Sequence, residues 1–140
     1  MDLANMVLAL HNRERAAVGV DNLAWSDKLA ADAKTWADHL ATTGEFVHDT
    51  EHLPTLGEGE NLAAGKEQPS IVHGIQDWIA EKNSYQGLPS ATGTNVTGHY
   101  TQMVWNTTKE VGCATATSTV RDILVCRYNP PGNIMGQKPY

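Results

Sequence analysis

Apolar positions recur at helical spacing from the start of the chain. Leu3, Met6, Val7 and Leu10, followed by Gly19, predict a helix over Leu3 to Ala17. Ser26 is a good N-cap with Asp27 in the first turn behind it; Leu29, Ala33, Trp36, Ala37 and Leu40 then form one apolar stripe that Gly44 ends. Ile71, Ile75, Trp78 and Ile79 mark a third helix over Ser70 to Asn83, and Thr101 to Trp105 suits a short helix or turn. Near the C-terminus the period changes. Val111 to Ser118 and Ile123 to Tyr128 alternate, are β-rich and flank a short polar turn, which predicts an antiparallel hairpin.

Between these elements the pattern fades. Phe46-Val47-His48 suits a brief strand. Asp49 to Gly65, with Pro54 and three glycines, reads as a loop with a helical turn around Asn61 to Ala64. Tyr85 to Gly98 is irregular. Helices first and a hairpin last predict an α+β or layered α/β/α domain spanning residues 1–140. A hairpin turn centred between Thr119 and Val120 sets Cys113 opposite Cys126. A disulfide there would be worth about 3 kcal/mol by chain entropy, and a pair of buried thiols is the other reading.

The formal net charge of −6 and the lack of any basic run exclude a nucleic-acid binder, which needs clustered Lys and Arg. No apolar run is long enough to span a bilayer. No basic-then-apolar leader opens the chain, so it reads as a mature domain with an added start methionine. Two sequons, at Asn95 and Asn106, would accept glycans in a secretory pathway.

The phosphate-loop, nucleophile-elbow and His-Glu-x-x-His zinc motifs are all absent. Six histidines remain. His39 and His73 read as solvated helix residues, and His52 sits in the acidic loop. His48 and His99 have aromatic neighbours, and imidazole nitrogens suit zinc or copper; half-buried, hydrogen-bonded histidines are the plainer alternative.

Four segments, in order, resemble the CAP superfamily of cysteine-rich secretory proteins, antigen five and plant pathogenesis-related group-one proteins. They are His11-Asn12-x-x-Arg15, Gly59-Glu60-Asn61-Leu62, Gly98-His99-Tyr100-Thr101-Gln102-Met103-Val104-Trp105, and Ile123 to Asn133. Pro130 to Tyr140 is similar to the plant and fungal branch. The resemblance implies a three-layer α/β/α sandwich with a central antiparallel sheet. It also implies a surface cleft where His48, Glu60, Glu81 and His99 converge, with the histidines holding a divalent ion, usually zinc, and the glutamates close behind. His11, Asn12 and Arg15 read as structural ties between loops, the four tryptophans as packing residues, and Tyr128 and Asn133 as braces of the C-terminal tail. The chain departs from plant relatives in having two cysteines rather than six. It departs from sterol-binding fungal relatives in the polar character of Tyr85 to Gly98.

Three functions are compatible with these features. The first is a secreted, defence-type binding protein for a divalent metal and a small apolar ligand such as a lipid or sterol. The second is a metal-dependent hydrolase or peptidase using the tetrad of His48, Glu60, Glu81 and His99, with Glu60 or Glu81 as its base. The third is an interaction domain that engages a protein partner through its surface or releases its C-terminal peptide.

Overall fold

The computed structural model describes residues 2–65, 70–85, 87 and 97–140. Helix α1 (Leu3–Ala17) begins at Asp2, whose carboxylate accepts the Asn5 N–H, and the helix has the predicted bounds. Its buried face is partly polar, carrying Val7, His11, Glu14 and Arg15. Helix α2 (Asp27–Thr43) is capped by the Ser26 hydroxyl, which accepts from the Leu29 N–H. It stops at Gly44, where φ of 78° is the left-handed conformation that glycine adopts without a Cβ penalty. Short α3 (Leu53–Leu56), α4 (Ser70–Ala80) with a 3₁₀ turn over Glu81–Ser84, and α5 (Gly98–Met103) complete the helices of the described residues.

Strands β1 (Ala24–Trp25), β2 (Gly59–Gly65), β3 (Glu110–Thr117) and β4 (Asp122–Asn129) form one sheet in the order β1-β3-β4-β2. The β3–β4 hairpin and the β2–β4 pair are antiparallel; β1 joins β3 in parallel through two residues, an exception to the expected antiparallel sheet. Alternation along β4 separates two apolar layers. Ile123 and Val125 pack with Ala33, Ala37 and Leu40 of α2, whereas Leu124, Cys126 and Tyr128 pack with Val7, Ile75, Trp78 and Met103. Helices therefore cover both faces, giving the three-layer arrangement. On the α2 side the fit depends on small residues. A Cβ on Gly112 would run into the α2 backbone at Ser26, Leu29 and Ala30, and Ala33 and Ala37 keep the rest of the helix close to the sheet.

Two sequence expectations change. Residues 59–65 form an edge strand, not a loop with a helical turn; the turn lies earlier, at α3. Glycines at both ends and alanines in the middle hide this strand, which owes its conformation to seven residues of pairing with β4. Phe46, Val47 and His48 make no strand. Cys113 and Cys126 pair directly, with Cα atoms 4.1 Å apart, and form a disulfide.

Candidate functional site

Edge position and alternation make β2 a divider. Glu60 points toward the α2 side and meets Arg127, its register partner on β4. Asn61 points the other way, and its amide donates to the His99 carbonyl at 3.0 Å and to the Tyr128 hydroxyl at 3.2 Å. The four candidate site residues thus form two imidazole–carboxylate pairs flanking one strand.

In the first pair His48 Nδ1 lies 2.7 Å from Glu60 Oε1, which also accepts the Asp49 N–H. In the second, His99 Nδ1 lies 2.7 Å from Glu81 Oε2, while Glu81 Oε1 accepts the His99 and Tyr100 N–H groups at 3.0 Å each. Trp78 stacks against the His99 ring at 5.8 Å between centroids and is held by donating its indole N–H to Leu62 O. In the first pair the carboxylate sits deep and the ring at the surface, Glu60 being 1% exposed on its side chain and His48 51%; in the second both groups are half-buried. Occupying Nδ1 in this way leaves Nε2, among the described residues, as the free nitrogen of each ring, the usual way a protein orients a histidine ligand. Among the described residues, however, no three His, Cys, Asp or Glu side chains come together as a metal-holding group.

Beside the first pair, a cavity of about 450 Å³ opens between α2 and residues 47–56. Trp36, His39, Val47, His48, His52 and Leu56 line it, with Arg127 at its base. Arg127 was not singled out from sequence, nor were Asp49 and Glu58. The guanidinium is buried among three carboxylates, 3.1 Å from Asp49, 3.2 Å from Glu58 and 2.7 Å from Glu60; the last contact is ionic, because its geometry is not that of a hydrogen bond. Burial and a hydrogen bond with Asp32 push the Glu58 carboxyl up, although Lys28 and Arg127 pull the other way. At Asp49 burial also pushes upward, but hydrogen bonds from His52 and Arg127 outweigh it and hold the group below its ordinary range. A single arginine in an apolar alternating strand, with Glu58 and Glu60 two apart, was the available sequence signal.

The remaining expected residues are structural ties. Arg15 donates to the carbonyls of Asp21, Met103, Trp105 and Thr108, and Asn12 exchanges two hydrogen bonds with Leu23. His11 bridges Val7 O and the Tyr128 hydroxyl. Tyr128 therefore ties β4 to α1 and β2 and does not brace the tail. Asn133 does hold the tail, accepting from Thr101 and donating to Gly98 O, and the Gly132 and Asn106 N–H groups bond Gln102 and Pro139. Asn106 is exposed. The Asn95 sequon and most of the Tyr85 to Gly98 loop, on which a sterol reading depends, lie outside the described residues. His39 is exposed and stacks on Trp36, and His73 is exposed. No helix of the described residues is long and apolar enough to cross a membrane.

The chain belongs to the cysteine-rich secretory protein (CAP) family, whose model matches residues 8–128. It is a pathogenesis-related protein 1-like member. It shares 36% identity over 134 residues with pathogenesis-related protein 1 of Arabidopsis thaliana, covering 95% of this chain and 80% of that protein. It shares 38% over 136 residues with pathogenesis-related protein 1C of Nicotiana tabacum, covering 95% and 78%. The crystal structure of NaASP2 with Zn2+ has the same fold, with a TM-score of 0.84 at 22% identity over 98% of this chain and 84% of that one.

Proposed function

We propose that this chain is an extracellular, defence-type CAP protein whose two imidazole–carboxylate arms together bind a divalent cation, zinc in the first instance. The observation that carries the reading is the matched geometry of the arms, each with Nδ1 on a glutamate at 2.7 Å and Nε2 left free. His48 and His99 would supply two nitrogen ligands and water the rest; Glu60 and Glu81 would orient the rings and offset the ion's charge. The pathogenesis-related names of its relatives support the defence and extracellular parts, and a related fold has been crystallised with Zn2+.

A bound ion would polarise a water or a carbonyl, but the arms favour binding over hydrolysis. A general base needs a carboxylate oxygen free to take a proton. Both Glu60 oxygens are engaged, by His48 and Asp49 on one side and Arg127 on the other. Both Glu81 oxygens are engaged by His99 and Tyr100.

Isothermal titration of zinc into chelator-stripped protein tests the reading. One saturable site per chain is expected, lost in His48→Ala/His99→Ala with the far-ultraviolet spectrum unchanged. Absence of saturable heat in the wild type, or equal binding by the double variant, would overturn it.

A further inference from the structure

We infer that Arg127 is a positioning residue for the His48 arm, fixing through Glu60 and Asp49 which nitrogen of His48 and of His52 stays free. The inference rests on the two-arm reading only where it gives His48 a ligand's role; the ring states do not depend on an ion.

A guanidinium directs its donors along fixed in-plane directions, which an ammonium on a flexible stem cannot reproduce. In Arg127, Nη1 and Nη2 donate to Glu58 and Asp49, and Nε lies 2.7 Å from Glu60 Oε2, holding that carboxylate by charge. Two of these carboxylates pass the constraint on. Glu60 keeps Oε2 on Arg127 and turns Oε1 to His48 Nδ1. Asp49 accepts from Arg127 at Oδ2 and from the His52 N–H at Oδ1, 3.1 Å each, and its two oxygens share His52 Nδ1, 2.8 Å from Oδ1 and 3.1 Å from Oδ2. An ionised carboxylate only accepts, so each neutral ring must carry its proton on Nδ1, with the Nε2 lone pair free. His48 and His52 both line the cavity beside α2, so one buried cation sets the ring state of two surface histidines.

The opposite arm provides a control within the same molecule. Glu81 is held by the backbone N–H groups of His99 and Tyr100, whereas Arg127 pairs with Asp49, Glu58 and Glu60. Disturbing Arg127 should therefore reach His48 and His52 and spare His99.

The experiment is nitrogen-detected imidazole NMR of metal-free wild type and Arg127→Lys, at a pH where the rings are neutral, with zinc titration of both proteins. In the wild type His48, His52 and His99 are expected as the Nδ1–H tautomer. In Arg127→Lys, His48 and His52 are expected to become tautomer mixtures while His99 is unchanged, and zinc affinity should fall at least tenfold, the usual scale for losing an outer-shell partner. A folded Arg127→Lys with unchanged His48 and His52 tautomers overturns the inference, as does an equal shift at His99. If Arg127→Lys does not fold, Arg127→Gln/Glu58→Gln, which removes one charge of each sign, is judged by the same criteria. If the wild type binds no zinc while the tautomers shift as expected, the metal reading fails and the positioning role stands.

Discussion

Arg15→Met is expected to lower the unfolding free energy by at least about 3 kcal/mol, a large share of the roughly 5–15 kcal/mol of an ordinary domain. Arg15 is fully buried and donates to four backbone carbonyls, with distances from 2.6 to 3.0 Å. Methionine fills similar space but donates nothing, so the Met103, Trp105 and Thr108 carbonyls lose a partner where water cannot easily replace it, while Asp21 O lies at the surface. Each buried orphan costs roughly 1–3 kcal/mol. Two of the carbonyls, Met103 O and Trp105 O, belong to the last residue of α5 and the turn after it. The helix that carries His99 is thus anchored at its far end by α1. Urea unfolding of Arg15→Met measures the effect, and a loss below about 1 kcal/mol would show that the network is dispensable.

The second large effect concerns acid. Burial lowers the His11 pKa from 6.5 to about 4, with Arg15 adding repulsion and the Val7 carbonyl acting in the opposite sense. The ring is held neutral by geometry: Nδ1–H donates to Val7 O at 2.8 Å, and Nε2 accepts from the Tyr128 hydroxyl at 2.7 Å. Between pH 6.5 and 4 the unfolded chain binds a proton at His11 that the folded chain refuses, so stability falls as pH falls. The loss over this window is about 3 kcal/mol, since one pKa unit corresponds to about 1.4 kcal/mol. Asp49, whose pKa is lowered, loses its contribution only below the ordinary carboxylate range and does not account for the same window. Unfolding free energies at pH 7 and pH 4.5 should diverge far more for the wild type than for His11→Gln. Parallel curves for the two proteins would contradict this assignment.

Helices α1 and α2 were legible because their signals are local: a capping serine, an apolar stripe and a glycine stop define α2 to the residue, whereas short α3 was missed and α5 begins three residues before its expected start. The hairpin was legible for the same reason, and its alternation placed Cys113 against Cys126. Strand β2 was not, because Gly59 to Gly65 has little intrinsic preference and takes its conformation from β4. Glu60 and His99 came from motifs carried by the family resemblance. The chemistry around them did not, since Arg127, Glu58, Asp49 and His52 meet only when β4, the approach to β2 and the loop before α3 have packed. Tyr128 shows the limit most clearly. Its sequence position next to the tail suggested a brace, whereas strand alternation turns it inward to His11 and Asn61.

The central claim is that two arms on opposite sides of one edge strand serve a single ion. A crystal grown with zinc and measured at the zinc absorption edge tests it most directly. The account predicts one anomalous peak per chain within bonding distance of both His48 Nε2 and His99 Nε2, with Glu60 and Glu81 still on the Nδ1 atoms. A peak between His39 and His52 alone, or none at saturating zinc, would contradict it.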